Sequence, residues 1–214
     1  MAHSTDLLDD SIVETNINQF NYPLSFEFKI GTISNDFTVK DANGTTLAYV
    51  RQKMFKFKDA IQVFTNEQKN KVAYTINADR IIDFNACYSF KNEHEEELGK
   101  VGRKGMKSLW KASYEIFTSE NNKEFQIKEE NPWAKVMDSL VGEIPVVSMF
   151  TGYMFNPKYI VETNDGKPAV RLTKEPSFWG RKFKLEKLGG ISNEESERII
   201  LSLMMMSLLE RRRG

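Results

Sequence analysis

The sequence predicts a mainly β fold: a closed antiparallel β-barrel of about twelve strands enclosing the chain's own hydrophobic C-terminal α-helix. Three observations predict it. Short segments of alternating polarity follow one another across residues 24–129 and resume across 146–187, each bounded by turn residues, as antiparallel strands do. A sheet of roughly a dozen strands tends to curl or close rather than stay open. Finally, residues 199–209 are large and apolar throughout except for Ser202 and Ser207.

In chain order, residues 1–20 carry Asp6, Asp9, Asp10 and Glu14 without a Lys or Arg, opposite in charge to a secretory or organelle-targeting leader. They read as an acidic N-terminal arm preceding a single barrel domain at 21–214. Nine strands are expected at 24–30, 36–40, 46–54, 60–65, 71–77, 85–91, 98–104, 109–117 and 124–129. The clearest turn is Asp41-Ala42-Asn43-Gly44, whose Asn-Gly pair supplies the positive-φ positions of a tight hairpin. Asn121-Asn122 and Asn66-Glu67-Gln68-Lys69 are weaker signals of the same kind. In residues 51–58 the bases fall on odd and then even positions, predicting a bulge or bend near Met54. The pattern breaks at Asn131-Pro132-Trp133, which can cap and open a short helix ending near Gly142, with Val136, Met137, Leu140 and Val141 on one face. Strands resume at 146–150, 159–163, 169–174 and 182–187.

Residues 37–64 lie over 159–186 without a gap. The superposition pairs Phe37 with Tyr159, Val39 with Val161, Gly44 with Gly166, Val50 with Leu172 and Val63 with Leu185. Two such copies fall short of a solenoid, which needs at least three stacked units, but suit a closed, pseudo-symmetric sheet.

The terminal helix is expected over about 193–210. Ser192 and Glu195 have the spacing of a capping box, and the acidic residues suit the positive end of the helix dipole. Arg211, Arg212 and Arg213 follow at its negative end. An apolar surface on every side must be enclosed, because a surface helix keeps a polar face. At about 1.5 Å per residue the apolar run covers roughly 16 Å, half the thickness of a bilayer's hydrocarbon layer. Protein rather than lipid is therefore its expected surrounding.

The Asp41-Ala42-Asn43-Gly44 turn followed by Leu47-Ala48-Tyr49-Val50-Arg51-Gln52-Lys53, the related unit at 161–172 and the terminal apolar helix together resemble the tubby C-terminal-like superfamily. That superfamily includes the phospholipid-scramblase-like and LURP-one-related proteins, and the resemblance covers roughly residues 24–210. It implies a twelve-stranded barrel around a buried C-terminal helix and, as in tubby itself, phosphoinositide binding through surface Lys and Arg. The chain departs from the scramblase pattern in having no Pro-rich N-terminal region, no cysteine cluster for palmitoylation and no acidic loop of calcium-binding spacing. The resemblance therefore does not extend to lipid scrambling.

Thirty basic residues balance thirty acidic ones, so only local patches can target the protein electrostatically. One patch contains Lys100, Arg103, Lys104 and Lys107 among the glycines of 99–105. It reads either as a phosphate cradle or as a strand and turn with solvated lysines, and the absence of a Gly-Lys-Ser/Thr triplet weighs toward the second. The other contains Arg181, Lys182 and Lys184 beside Phe178 and Trp179, suited either to a lipid headgroup layer or to a barrel end with a charged sheet edge. These seven cations are the candidate anion-binding residues.

No catalytic residues, metal site or cofactor are expected. His3 and His94 are isolated from one another, and Glu93, Glu95, Glu96 and Glu97 read as a solvated turn. Cys87, the single cysteine, reads as a small buried thiol and fits a reducing compartment. Neither a Gly-x-Ser-x-Gly elbow nor a dinucleotide fingerprint occurs. The expected function is a noncatalytic cytoplasmic binding module, peripheral to a membrane, whose partner is an anionic phospholipid surface; the alternative is a protein-interaction scaffold without lipid binding. Nucleic acid is not an expected partner, no transmembrane span is expected, and the oligomeric state is open.

Overall fold

The structure, a computed structural model, describes residues 20–29, 36–51, 60–79, 84–104, 113–130, 158–176 and 181–211, with the backbone alone for Phe84, Asn85, Arg181, Glu210 and Arg211. The strands are β1 (Leu24–Phe28), β2 (Phe37–Lys40), β3 (Thr46–Arg51), β4 (Ile61–Phe64), β5 (Val72–Asp79) and β6 (Phe84–Asn92). They continue as β7 (Glu97–Lys104), β8 (Ser113–Thr118), β9 (Lys123–Glu129), β10 (Lys158–Thr163), β11 (Pro168–Glu175) and β12 (Arg181–Lys187). One helix, α1 (Asn193–Arg211), follows. Each strand pairs antiparallel with its sequence neighbours, and β1 closes the barrel on β12, with Leu24 opposite Leu185 and Phe26 opposite Phe183. Because β9 pairs directly with β10, the barrel closes without a thirteenth strand. The helix expected at 131–142, the strand expected at 146–150 and the bend expected near Met54 lie outside the described residues.

Period-two alternation sets the wall. Leu24, Phe26 and Phe28 of β1, Phe37 and Val39 of β2, Tyr114 and Ile116 of β8, and Phe125 and Ile127 of β9 are buried inward in one continuous core. α1 lies inside that wall. Its residues 199–206 are buried on every side, so the helix lacks a polar face because it has no face toward water. The expected capping box is present: the Glu195 amide donates to Ser192 Oγ at 3.1 Å, and the Ser192 amide donates to Glu195 Oε2 at 2.6 Å.

The turn at Asp41 differs from the hairpin expected of an Asn-Gly pair. Gly44 has φ +81°, while Asn43 stays out of the positive-φ region. The reason is a bulge between Val39 and Lys40, which lengthens the loop and leaves a single left-handed position. The Asp41 carboxylate holds the loop, accepting from the Asn43 amide at 2.9 Å and the Thr45 amide at 2.8 Å. The internal repeat extends to this detail: β10 bulges between Val161 and Glu162, and Gly166 has φ +78°.

Three further hairpins use the same geometry without glycine. Lys69 (φ +60°) closes the β4–β5 turn, Glu95 (φ +62°) the β6–β7 turn and Asn121 (φ +65°) the β8–β9 turn. An L side chain in this region costs about 1–2 kcal/mol, whereas glycine avoids the steric conflict. Glu95 holds its position with little in return, since its bond to Lys91 is exposed. Glu95→Gly is expected to raise Tm by about 2–4 °C, corresponding to about 1 kcal/mol in a chain of this size. A lower Tm in a thermal melt would refute this account of the turn.

Candidate functional site

The up-and-down order gives the barrel two unlike ends. Five hairpin turns, all within the described residues, meet at one of them, together with the start of α1. Here Asp41, Glu67, Glu93, Glu95, Glu96, Glu120 and Asp165 stand against Lys69, Lys71 and Lys167, so this turn end is acidic. β1, β3, β5, β7, β9 and β11 run toward the other end, where Arg51 and Lys104 terminate their strands with exposed side chains and the helix finishes at Arg211. In sequence, residues 52–59 hold Lys53, Lys56 and Lys58 against Asp59, and residues 105–112 hold Lys107 and Lys111 without an acid; both segments lie outside the described residues. Between β9 and β10 the sequence holds Lys135 against Glu130, Asp138 and Glu143, of which Glu130 alone is described. The helix carboxyl end is followed by Arg212 and Arg213.

The candidate cations divide between two parts of the wall. β7 carries Lys100, Arg103 and Lys104, while β12 carries Arg181, Lys182 and Lys184; β8, β9, β10 and β11 separate them. They do not converge on one face. Lys107 lies outside the described residues, as do Phe178, Trp179 and the bases of 52–59, and Arg181 is described by its backbone alone.

Four of these cations are engaged with carboxylates. Lys100 lies 3.2 Å from Asp79 Oδ2 and 3.3 Å from Glu97 Oε1. Burial works against its ammonium, but hydrogen bonds to both carboxylates outweigh burial and raise its pKa. Lys104 reaches Glu115 Oε1 at 3.1 Å, sharing it with Lys123 at 2.9 Å. Burial disfavours the Glu115 carboxylate, and its two lysine partners overcome this to lower its pKa. Lys182 lies 3.4 Å from Glu27 and 3.9 Å from Glu175, and Lys184 2.8 Å from Glu186. Exposed pairs of this type are worth little to stability and exchange readily for other partners.

Arg103 is different. Val101 faces the core, and alternation turns Arg103 to the same side, opposite Tyr114 of β8. Its guanidinium carbon sits 6.0 Å from the Tyr114 ring centroid, and its Nε is buried without a hydrogen-bond acceptor. The same period-two pattern in the sequence separates it from the outward Lys100 and Lys104.

The remaining reactive side chains serve structure. Burial first, and the nearby Asp79 charge second, push the Cys87 thiol up to about 11, the opposite of an activated nucleophile. In the acidic turn, Lys71 holds Glu93 at 2.7 Å, and the amides of His94 and Glu96 both donate to Asn92 Oδ1. Among the described residues, no group of three or more His, Cys, Asp or Glu side chains is placed to hold a metal ion. Tyr49 donates to Asp36 Oδ2 at 2.5 Å, and burial followed by that bond pushes the phenol up to about 12. No described helix is long and apolar enough to cross a membrane.

Comparison with known proteins bears on this architecture. The family model described as LURP-one-related matches residues 24–153. No curated protein matches. An X-ray structure of a protein from Arabidopsis thaliana is similar at 11% identity and a TM-score of 0.48, covering 92% of this chain and 95% of that one.

Proposed function

The chain belongs to the LURP-one-related family, within the tubby-like superfamily, and from that premise we propose that it is a noncatalytic binding module that contacts anionic lipid headgroups with the end of its barrel opposite the acidic turns. The carrying observation is the polarity of the barrel. Acidic side chains gather in the turns, whereas at the opposite end, among the described residues, Lys29, Arg51, Lys104, Lys158 and Lys174 balance Asp36, Asp79, Glu129, Glu130 and Glu175. Near an anionic leaflet such a distribution orients the molecule, repelling the turn end and turning the other toward the surface. The exposed ion pairs of Lys182 with Glu27 and Glu175 can yield to lipid phosphates, because a surface carboxylate holds a lysine only weakly. A cytoplasmic, membrane-peripheral protein of this type needs neither a cofactor nor a membrane span.

Vesicle sedimentation tests the proposal. The full chain is expected to sediment with phosphatidylserine-containing vesicles at about 30 mM salt and to be released at about 500 mM, where the Debye length falls to roughly half its value at 0.1 M. Neutral phosphatidylcholine vesicles should leave it in the supernatant at both salts. Failure to bind anionic vesicles at low salt would overturn the reading.

A further inference from the structure

We propose that an apolar crevice between the first turns of α1 and the wall, at the acidic turn end, docks a basic segment of a partner protein that seats one apolar side chain there. This inference goes beyond the membrane reading and does not depend on it, since it concerns the opposite end of the barrel. Val39 of β2, Ala48 of β3 and Tyr74 of β5 line the crevice on the wall side, and Ile200, Leu201 and Met204 of α1 line it from within. Phe20, Leu47 and Glu197 complete it and are partly exposed, so they mark its mouth. The space measures about 300 Å³ with the solvent at the mouth included.

The internal repeat explains why the space exists. Val39 stands opposite Ala48 across β2 and β3, and the equivalent pair across β10 and β11 is Val161 with Val170. Val170 is fully buried. Where the second copy fills the core with an isopropyl group, the first has only the methyl of Ala48 and leaves a gap beside α1. One apolar side chain entering a gap of this kind, with polar groups around it, is the usual form of an interface anchor.

Charge selects the occupant. Among the described residues that line the crevice Glu197 alone is charged, and Tyr74 donates its hydroxyl to it. Exposed Glu194, one turn earlier, acts on Glu197, and exposed Glu93 of the β6–β7 turn acts on Tyr74, so negative charge surrounds the mouth. Two lysines of this end are already engaged, Lys71 with Glu93 at 2.7 Å and Lys187 with the Ile191 carbonyl at 3.1 Å. A segment with Lys or Arg on both sides of one Leu, Met or Phe matches both features, its cations meeting the turn carboxylates while its apolar side chain enters the crevice. With solvent counted, the space only reaches the lower limit of ligand pockets, too shallow to enclose a small molecule. The same charge repels Asp6, Asp9, Asp10 and Glu14, which argues against the chain's own residues 1–19 as the occupant.

Fluorescence anisotropy with the full chain and labelled synthetic peptides is the test, and no vesicle enters it, so its outcome is separate from that of the membrane reading. A peptide with a central leucine flanked by lysines is expected to bind about tenfold more tightly than the same peptide with a central alanine. A glutamate-flanked version should not bind. Ala48→Val and Ala48→Leu fill the crevice in two steps and should remove the preference for leucine progressively, while Glu194→Lys should weaken both lysine peptides. Valine is the residue of the second copy at this position, so Ala48→Val is expected to melt as the wild-type chain does. Equal binding of the leucine and alanine peptides, or binding of neither, would overturn the site. So would Ala48 variants that melt normally and keep the preference. Should both variants melt lower, a peptide with a photoreactive central leucine decides on the wild-type chain: label on Phe20, Leu47 or Tyr74 supports the site, and label elsewhere overturns it. Peptide binding that appears only after Leu7, Leu8, Ile12 and Val13 are changed to serine would assign the crevice to the chain's own arm. Self-association lost in Ala48→Leu would assign it to a second copy, and either result overturns the partner.

Discussion

Truncation before Asn193 will yield a chain that has lost its cooperative thermal transition and collects in the insoluble fraction. The reason lies in barrel size. Eight strands enclose an interior that their own side chains just fill, and diameter grows with strand number. A twelve-stranded wall leaves axial space beyond what Phe26, Phe37, Phe125 and their neighbours occupy, and α1 fills it with Ile199, Leu203, Met205 and Leu208. Removing the helix exposes the inner face of every strand to water at once, each large side chain having been worth about 1.5–3 kcal/mol buried. A graded version keeps the experiment quantitative: Leu203→Ala should cost about 2–5 kcal/mol in denaturant melts, by lost burial plus the cavity left behind. A soluble truncation that still melts cooperatively would show that the wall stands without its filling.

Arg198→Ala will destabilise the barrel by about 3–5 kcal/mol, the largest effect expected from a single polar substitution here. Arg198 leaves the first turns of α1 and meets Glu124 as a fork, Nε to Oε2 and Nη2 to Oε1, both at 2.8 Å. Only 14% of the arginine side chain and 18% of the carboxylate side chain remain exposed. Burial alone would lower the arginine pKa, but the Glu124 bonds outweigh it and raise it, so the guanidinium is held charged. Truncation strands the Glu124 charge in the wall. The double variant Arg198→Leu with Glu124→Leu should recover much of the loss, because burying two apolar groups avoids both desolvation penalties. Equal losses in the single and double variants would mean that packing rather than charge carries the effect.

Gly99 accommodates that pair. An added Cβ would stand 2.3 Å from the Phe117 carbonyl oxygen and 2.8 Å from Arg198 Cδ, at a φ of +149°. In the sequence this glycine could be read as part of a phosphate cradle, beside Lys100 and Gly102. Its role in the fold is to let the helix's arginine pass against the wall. The two readings share a residue type because both need a close approach to backbone, and only the partner distinguishes them.

The wall was legible from local text. Each described strand lies within a few residues of its expected position, because a half-buried strand must alternate and the alternation is written in consecutive residues. The β1 text ran on to Ile30, past the strand end at Phe28, while the β3 text beyond Arg51 lies outside the described residues. The turn at Asp41 was found, but its type was not. A bulge depends on the register between β2 and β3, which no single strand encodes.

The candidate site was less legible. The cations of β7 and β12 look like two versions of one basic surface in the sequence, yet four strands lie between them. Whether Lys100 or Lys182 is free depends on Asp79, Glu97 and Glu27, carboxylates supplied largely by neighbouring strands. Arg103 was among the candidates, but its inward direction was overlooked although Val101 two residues earlier marks it.

Fold class, strand positions, the capping box and the enclosure of 199–209 follow from the residues alone, because alternation, capping and an all-apolar helix are short-range or compositional signals. Which charges neutralise one another, why Gly99 is a glycine and which cation keeps an unfilled donor were decided by closure of the barrel. Closure brings residues as distant as Glu124 and Arg198, or Tyr74 and Glu197, into contact. Such pairings come from the register of the wall and the depth of the helix within it, and both exist only once the whole chain has folded.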